Sequence, residues 1–569
     1  MRYLALITDY DNTLATEGRV TAATIAAIQR LRISGRHVIL ATGRRLEDLL
    51  VVCPCIDAFS YVVAENGAVV YEPKSRETAL LAEPLPKKFV RALQRANIVP
   101  LEIGRVVVGT HLPNQARVLE IIQESGLELK IVFNRGAVMI MPTGVNKATG
   151  TKYALRKLGM SPHETVAVGD AENDHSILQL AECPVAVANA LDAVKDVAAF
   201  VTTSSDGEGV AELADAIVAN DLEQVDVRIT QHYIALGTRL DGTVVWVPPY
   251  GRNILVAGPS ASGKSTLAAG FIERLAEQSY QVCIIDPEGD YVTVPNLVSV
   301  GDRGRPPSIS EILAILRDPD VNVNINLLGV PMLERPAFFA ELFLSLQAMR
   351  GRTGRPHWFV IEEAHHLLPA TWAAADLALP PSLREILLIT VHPDHVAPAV
   401  LSTVDVVIAV GGSPKDTLQN FAAAVGELHL LPDEVTNSGG DVTCWSISSR
   451  QDPFPMRVIR GKAERIRHFR KYAVGDLRQY SFYFRGPKQK QNLSAPNLNL
   501  FCHIARGIDE ETWLFHLYRG DYSRWIRGSV KDEFLAKAVQ RIEESVDITP
   551  WDSRSRICTA IEDRYTLPE

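Results

Sequence analysis

Several features that would place this chain in a specialised class of protein are scarce or missing. Seven cysteines among 569 residues, an odd number at irregular spacing, exclude the disulfide framework of a small secreted domain. Cys53 and Cys55 are the only close pair, and no second pair or histidine set completes a zinc site, so we expect reduced thiols. No apolar run approaches about 18 residues, and the first residues lack the pattern of a signal peptide. We therefore expect a cytoplasmic protein with no membrane partner.

A large field of positive charge is also missing. The formal net charge is −9, so overall composition does not indicate a nucleic-acid-binding protein. Hydrophobic residues make up 47% and charged residues 22%, which is the balance of a globular protein able to bury a core. The chain is too long for one such core and therefore predicts several domains.

Alternation of apolar strands with amphipathic helices predicts two doubly wound, three-layer α/β domains. The first covers residues 1–225 and the second covers residues 226–465. Within the first, the pattern of helix, strands, helix, strands at about 82–145 predicts an inserted α/β cap. Residues 466–569 predict a small, mainly helical C-terminal domain.

Four polar segments in the first domain each follow a predicted strand. They are Asp9–Leu14 (DYDNTL), Ala41–Arg44 (ATGR), Asn146–Lys147 and Gly169–Asp174 (GDAEND). In an open α/β sheet the carboxyl ends of the strands share one crevice, so these segments are expected to converge. Together they supply a nucleophilic carboxylate, a neighbouring acid, cationic and hydroxyl donors and metal-binding oxygens, which phosphoryl transfer to a carboxylate requires.

These motifs and their order resemble the haloacid dehalogenase (HAD) superfamily, in its cap-bearing type IIB group of phosphoglycolate-phosphatase-like and sucrose-phosphatase-like enzymes. Glu65-Asn66-Gly67 matches a recurring element of that group. The resemblance implies a Rossmann-like fold, with Asp9 as the nucleophile and Asp11 as the general acid and base. It also implies phosphoryl-oxygen contacts from Thr42 and Lys147, and a Mg²⁺ site formed by Asp9, Asp11, Asp170 and Asp174.

A second constellation begins at Gly258 with the sequence GPSASGKST, which follows the apolar strand NILVA and opens a predicted helix. This is the P-loop pattern, in which backbone amides cradle the phosphates of a nucleotide. It predicts binding of ATP and Mg²⁺, and the residues of the motif that carry this prediction are Gly258, Gly263, Lys264, Ser265 and Thr266. Lys264 is expected to reach the β- and γ-phosphates, and Ser265 is expected to contact Mg²⁺.

Glu362 and Glu363 end another apolar strand, as in a Walker B element. Glu362 is expected to help hold Mg²⁺, and Glu363 is expected to orient the attacking water. With CIIDPEGDY at 283–291, this domain resembles HerA/FtsK-type ATPases, which implies a homo-oligomer of the hexameric-ring type. Asp290 stands where that family usually has glutamate, and His392 follows Thr390-Val391 where a glutamine-bearing sensor is usual.

The C-terminal segment interleaves aromatic with basic residues. Such a pattern fits a site for single-stranded nucleic acid. However, the aromatic and leucine side chains recur at helical spacing, which favours a small core made by Trp513, Phe515, Leu517, Tyr522 and Trp525.

The sequence thus predicts a Mg²⁺-dependent phosphomonoester hydrolase that acts through an aspartyl-phosphate and is fused to an ATP-binding and ATP-hydrolysing domain. Two alternatives stay open at this point. One is a polynucleotide kinase/phosphatase, which also pairs these two domain types. The other is a nucleotide-gated, ring-forming assembly or nucleic-acid-processing module.

Overall fold

The computed structural model of the chain describes most of its length. The described residues are 1–259, 262–291, 297–372, 384–411, 413–427, 440–449, 451–461, 472, 477, 480–530, 532–545 and 548–565. They form two compact units. The larger unit holds residues 1–264, 274–292 and 296–458, and the smaller one holds residues 265–273 and the C-terminal part from 459 onward.

The first sheet of the larger unit has eight strands. Their order across the sheet is Phe200–Val201, Cys183–Ala186, Thr165–Gly169, Ala5–Thr8, His37–Ala41, Tyr61–Ala64, Val69–Glu72 and Glu77–Leu80. The first six strands are parallel to one another. The strand Val69–Glu72 runs antiparallel to Tyr61–Ala64, and Glu77–Leu80 runs antiparallel to Val69–Glu72. The chain runs outward from Ala5–Thr8 in both directions, so a topological switch point lies beside this strand, where open α/β sheets bind their ligands.

Helices accompany the first sheet because its strands are apolar on both faces and need cover. The helices are Ala22–Ile33, Leu46–Val52, Lys147–Leu158, His175–Leu180, Asp192–Lys195 and Asp206–Asn220. Short 3₁₀ turns occur at Ile56–Ala58, Glu65–Gly67, Pro162–Glu164, Glu172–Asp174 and Glu223–Arg228. The central strand Ala5–Thr8 is buried along its whole length.

A four-stranded antiparallel sheet is inserted after the strand Glu77–Leu80. Its order is Glu102–Ile103, Val108–His111, Ala137–Pro142 and Leu129–Asn134, and the helices Lys87–Arg95 and Gln115–Ser125 accompany it. Apolar side chains from these helices and strands form a separate small core. This insertion overlaps the segment at about 82–145 for which a cap is predicted, and we refer to it as the cap.

The second sheet of the larger unit has eleven strands. Their order is Val244–Val247, Ile234–Arg239, Phe454–Val458, Val442–Ser446, Val406–Val410, Asn253–Ala257, Ile386–Thr390, Trp358–Ile361, Val282–Asp286, Asn322–Asn326 and Leu297–Val300. The seven strands from Val406–Val410 onward are parallel. The helices that accompany this part of the chain are Lys264–Glu277, Ile309–Ile315, Arg335–Thr353, Ala364–Leu367, Pro398–Leu401 and Pro414–Val425, with a 3₁₀ turn at Pro393–His395.

The two large sheets meet within the larger unit through buried polar contacts at the amino-terminal ends of their strands. Glu164, which precedes the strand Thr165–Gly169, forms an ion pair with the guanidinium of Arg355 at 2.9 Å. The hydroxyl of Tyr280 donates to Glu182 at 2.8 Å. Because these contacts involve the beginnings of strands, the carboxyl ends of both sheets lie away from the contact.

The smaller unit is mainly helical. It contains two short antiparallel strands, Phe482–Phe484 and Leu493–Ala495, a 3₁₀ turn at Pro487–Gln489 and a π-helical turn at Ile526–Val530. Its α-helices are Leu498–Gly507, Glu510–Leu517, Asp521–Trp525, Glu533–Glu543 and Pro550–Tyr565. Four of the five predicted core side chains, those of Trp513, Leu517, Tyr522 and Trp525, are buried, which confirms the core interpretation for them. Phe515 is half-buried.

None of the helices in the described residues has the length and apolar character that crossing a membrane requires.

Candidate active site

The centre of the first site is a buried lysine between two buried aspartates. Asp9 follows the central strand Ala5–Thr8, and Lys147 is the first residue of the helix Lys147–Leu158. The ammonium of Lys147 lies 2.5 Å from a carboxylate oxygen of Asp9 and 2.6 Å from one of Asp174. Asn146 caps this helix through a reciprocal pair of hydrogen bonds with Thr149, which fixes the point where Lys147 enters the site.

The loop after the strand Thr165–Gly169 is closed on itself by Asp174. The other carboxylate oxygen of Asp174 accepts the backbone N–H groups of Asp170 and Ala171, both at 3.0 Å. The hydroxyl of Thr13 donates to Asp170 at 2.9 Å, so the first and fourth polar segments of the site are directly joined. Both aspartates are buried, and their positions are therefore fixed before any ligand is bound.

Burial dominates the electrostatics of this site. It raises the pKa of Asp9, the charge of Asp174 raises it further, and Lys147 opposes both. Burial alone would lower the pKa of Lys147, but Asp174 and Asp9 together raise it above its ordinary value. Burial and Asp174 raise the pKa of Asp170 to about 6. Lys147 thus stays charged and compensates a concentration of carboxylates.

The carboxylates fit a hard divalent cation. Ligand oxygens of Asp9, Asp170 and Asp174 all lie within 4.8 Å of one another. One buried oxygen of Asp170 has no hydrogen-bond partner among the described residues, and it forms an ion pair at 2.7 Å with Arg135 of the cap. Carboxylate oxygens are the ligands that Mg²⁺ prefers, and a cation at this point would complete the coordination of Asp170.

Two further predicted residues lie at the side of the site and share one partner. Asp11 forms a two-pronged ion pair with Arg44, with both N–O distances at 2.7 Å. The buried hydroxyl of Thr42 accepts the backbone N–H of Arg44 at 3.1 Å. Arg44 belongs to the ATGR segment identified from the sequence, where a surface charge was favoured over a contact with substrate; its pairing with Asp11 was not predicted.

Comparison with known proteins places this part of the chain in a family. The model of the haloacid dehalogenase-like hydrolases matches residues 6–97 and 114–213. A phosphoglycolate phosphatase of Archaeoglobus fulgidus is 32% identical over 215 residues, which cover 37% of this chain and 94% of that enzyme. The chain belongs to the haloacid dehalogenase-like hydrolases. Its N-terminal part is a HAD-type phosphatase of the phosphoglycolate-phosphatase-like kind.

Other relatives match the same part of the chain. Phosphoglycolate phosphatase 2 of Saccharolobus solfataricus is 27% identical over 231 residues, covering 39% of this chain and 97% of that enzyme. A crystal structure of a haloacid dehalogenase-like hydrolase from Bacteroides thetaiotaomicron is 20% identical, covers 38% of this chain and 99% of its own, and gives a TM-score of 0.33. The family predicted from the sequence is therefore confirmed for the N-terminal part alone.

The role of Glu65 in this HAD-type domain was not foreseen from the sequence. Its side chain is fully buried, and its two carboxylate oxygens accept three backbone N–H groups of the cap segment Arg105–Val107, each at 2.9 Å. Glu65 is held in the left-handed region at a φ of +50°. One carboxylate therefore anchors the base of the cap to the HAD core.

The next two residues of the same turn tie the cap to the catalytic loops. Asn66 accepts the side-chain amide of Asn173 at 3.1 Å and donates to the sulfur of the cap residue Met139. Gly67 has a φ of +98°, and a Cβ there would lie 1.8 Å from the carbonyl oxygen of Asn146. Only glycine lets this turn approach the residue that caps the Lys147 helix. The Glu65-Asn66-Gly67 element thus positions the cap, the loop that contains Asn173 and the helix that begins at Lys147.

The second constellation of this HAD-type protein also occupies strand ends. Gly258 follows the strand Asn253–Ala257 at a φ of +153°, and a Cβ there would lie 2.0 Å from the carbonyl oxygen of Val410. The ammonium of Lys264 donates to the carbonyl oxygens of Gly258 and Pro259, both at 2.9 Å. Gly263 has a φ of +106°, and Ser265 and Thr266 are the second and third residues of the helix that Lys264 begins. Residues 260 and 261 of the motif lie outside the described residues.

Glu362 and Glu363 end the strand Trp358–Ile361, two strands away from Gly258. Glu362 is buried, burial raises its pKa to about 8, and it accepts the hydroxyl of Tyr291. Burial lowers the pKa of Lys264, and the charges of Glu363 and Glu362 oppose this effect. The lysine and both glutamates are therefore electrostatically coupled.

Asp286 organises the loop that carries Tyr291. Its carboxylate oxygens accept the backbone N–H groups of Glu288, Gly289 and Tyr291 at 2.8–3.2 Å. This explains the aspartate of the DPEGDY segment as a loop-forming residue. The loop in turn places the hydroxyl of Tyr291 on Glu362.

Proposed function

We propose that the N-terminal part hydrolyses a small phosphomonoester with Asp9 as nucleophile. The observation that carries this proposal is the buried contact of Lys147 with both Asp9 and Asp174, beside a third buried carboxylate, Asp170. A nucleophile, a fixed cation and metal-binding oxygens thus meet at the carboxyl ends of two parallel strands and the amino-terminal end of one helix. This is the combination that phosphoryl transfer through a covalent intermediate needs.

The chain's own residues then perform two displacements. A carboxylate oxygen of Asp9 attacks phosphorus while the P–O bond to the leaving group breaks, and Asp11 gives its proton to the leaving oxygen. In the second displacement Asp11 takes a proton from water, the water oxygen attacks phosphorus, and the bond from Asp9 to phosphorus breaks to release phosphate. Lys147 and the hydroxyl of Thr42 stabilise the negative charge that develops on the phosphoryl oxygens.

Asp9, Asp170 and Asp174 would hold Mg²⁺ at this site, and the family resemblance adds the backbone oxygen of Asp11 to this set. When bound it would neutralise part of the phosphoryl charge. Arg135 contacts the same oxygen of Asp170 that faces this position.

The substrate we favour is a small phosphate ester with a second negative charge, and phosphoglycolate is the first to test. Two relatives that align over nearly their whole length are phosphoglycolate phosphatases. Two arginines also border the carboxylate cluster, Arg44 from the core and Arg135 from the cap. Their guanidinium groups suit a carboxylate on the leaving group.

The test is phosphate release by the full-length protein with Mg²⁺ from phosphoglycolate, neutral sugar phosphates and 3′-phosphorylated oligonucleotides. The expected result is the highest kcat/KM for phosphoglycolate. Preference for a phosphorylated oligonucleotide, together with phosphate transfer from ATP to a 5′-hydroxyl end, would instead favour the polynucleotide kinase/phosphatase alternative. No release from any ester would contradict the proposal.

A second function is supported by the geometry around Lys264. The glycine-rich loop after a buried strand, the helix that starts at Lys264 and the two glutamates facing it support binding and hydrolysis of ATP with Mg²⁺. Equilibrium binding and hydrolysis of ATP by wild type and Lys264→Ala test this directly. Light scattering with and without ATP tests the ring-forming, hexameric alternative, which requires a nucleotide-dependent change in mass.

A further inference from the structure

A cavity in the smaller unit lies outside both sites described above. It has a volume of about 530 Å³, which is within the usual range of small-molecule sites. Its walls come from the strand Phe482–Phe484 and the turn that follows it, and from the helices Glu510–Leu517 and Asp521–Trp525. The lining combines aromatic rings with arginines.

The floor of the cavity is fixed by a buried histidine. Nε2 of His516 accepts the backbone N–H groups of Arg485 and Gly486 at 3.1 and 3.4 Å. Its other ring nitrogen, Nδ1, therefore carries the proton and donates to Asp521 at 2.8 Å. His516 thus holds the strand side and the helix side of the cavity in one arrangement.

Positive charge exceeds negative charge around the opening. Among the described residues that line the cavity, Asp521 is the only acidic one, and it is shared by Arg519 at 3.4 Å and Arg524 at 3.1 Å. The guanidinium of Arg485 has no ion pair among the described residues, and its side chain is exposed. Two guanidinium charges are therefore left without a matching carboxylate.

The arginines are combined with aromatic rings on both sides of the cavity. The guanidinium carbon of Arg485 lies 5.4 Å from the centre of the Tyr483 ring, and that of Arg519 lies 5.0 Å from the centre of the Phe515 ring. Both rings are half-buried, so part of each ring stays available for contact. A planar ring stacked on such a surface would have a guanidinium group beside it.

We propose that this cavity binds a nucleotide, with the base against Tyr483 or Phe515 and the phosphate at Arg485 and Arg519. Aromatic walls disfavour an inorganic anion as the natural ligand, since such an ion gains nothing from stacking. The unbalanced guanidinium charge disfavours a neutral aromatic molecule. A phosphorylated nucleoside meets both requirements, whether it is free or one unit of a single strand.

The test uses the full-length protein carrying Asp9→Asn and Lys264→Ala. The first substitution prevents hydrolysis of the probe at the Asp9 site, and the second weakens its binding at the Lys264 site. Fluorescence anisotropy with a fluorescein-labelled oligothymidylate measures affinity, and AMP is added as competitor. In this background Arg485→Ala is expected to weaken binding about tenfold and to reduce the salt dependence. Tyr483→Leu is expected to weaken it about fivefold or more, through lost stacking.

Arg556→Ala is the matched control, because Arg556 is an exposed arginine of the same unit that does not line the cavity. Its affinity is expected to stay within about twofold of the background. Competition by AMP would assign a free nucleotide as ligand, and its absence would assign a strand. The proposal is overturned if neither probe binds, if Arg485→Ala leaves the affinity unchanged, or if Arg556→Ala weakens binding as much as Arg485→Ala does.

Discussion

The larger unit contains two buried lysines that each begin a helix, and they are stabilised in different ways. Lys147 lies between carboxylates from two other segments, one of them 138 residues away in sequence, and its pKa is raised. Lys264 donates to carbonyl oxygens five and six residues before it, and burial lowers its pKa. The first lysine belongs to a long-range charge cluster and the second to a local loop.

This difference indicates how each site should respond to change. In the Lys147 site, removal of one charge leaves other buried charges without compensation, so binding, catalysis and stability are expected to change together. In the Lys264 site the loop satisfies the ammonium with its own backbone, so loss of the lysine should remove nucleotide affinity and leave the fold intact. The two sites are also at the far ends of sheets that meet at their amino-terminal ends.

The largest expected effect separates the two sites. Asp9→Asn should reduce phosphate release from the best ester by more than about 1000-fold, because the amide is not a nucleophile. ATP hydrolysis should be unchanged. Parallel assays of both activities on the purified variant make the comparison, and equal loss of both would show that the sites do not act independently.

Lys264→Ala is the reciprocal change. We expect ATP affinity to fall by about 10- to 100-fold, since a charge-assisted contact with the phosphates is lost. Calorimetric titration with ATP measures the affinity, and circular dichroism checks the fold. Phosphate release from the ester should equal that of wild type, and a parallel loss of ester hydrolysis would break the distinction between the two lysines.

Replacement of Glu65, which anchors the cap, is expected to have an intermediate effect on ester hydrolysis. Glu65→Gln replaces a carboxylate that accepts three backbone N–H groups with an amide that has one acceptor oxygen, so at least one N–H loses its partner. We expect KM for the ester to rise about tenfold and the free energy of unfolding to fall by about 2 kcal/mol.

Steady-state kinetics and urea unfolding measure both effects of Glu65→Gln. Glu83→Gln is the control, because Glu83 is an exposed glutamate between the strand Glu77–Leu80 and the helix Lys87–Arg95. An unchanged KM for Glu65→Gln would show that Glu65 does not anchor the cap during turnover.

The smallest expected effect on the two activities comes from the contact between the two large sheets, which lies away from both sites. Burial raises the pKa of Glu164 to about 8, although Arg355 opposes this. A raised carboxyl pKa means that the folded state holds the proton more tightly than the unfolded state. The contribution to stability is therefore complete below the ordinary pKa of 4.5 and is lost as pH rises through about 8.

Glu164→Gln removes this titration. The variant should therefore gain stability relative to wild type as pH rises, by about 1.4 kcal/mol for each pH unit between the two pKa values. Urea unfolding between the two pKa values measures the difference. Glu341→Gln, at an exposed glutamate, is the control. A stability difference that does not change with pH would mean that Arg355 keeps Glu164 ionised throughout.

Local patterns predicted more of this structure than long-range ones. The strand-loop-helix at Gly258–Lys264 and the polar segments after Ala5–Thr8 and Thr165–Gly169 could be identified from residue order, because a strand end and its loop are adjacent in sequence. The insertion between Glu77–Leu80 and Lys147–Leu158 followed from a change in periodicity.

The partners of these residues could not be predicted in the same way. Arg44 on Asp11, Arg135 on Asp170 and Glu65 on the cap backbone depend on tertiary packing. The contact of Glu164 with Arg355 joins residues 191 positions apart, in two sheets of the larger unit whose separate sequence patterns contain no sign of it. The core of the smaller unit was predicted from spacing, whereas Phe515 turned out to line a cavity beside it.

The most direct test of the central proposal is the site of covalent phosphorylation. The full-length protein is mixed with Mg²⁺ and ³²P-labelled phosphoglycolate, quenched in acid during turnover and digested. Label on the peptide that contains Asp9, absent in Asp9→Asn, is the result we predict. Turnover with no labelled protein, or with label on a peptide that lacks Asp9, would contradict nucleophilic catalysis by Asp9.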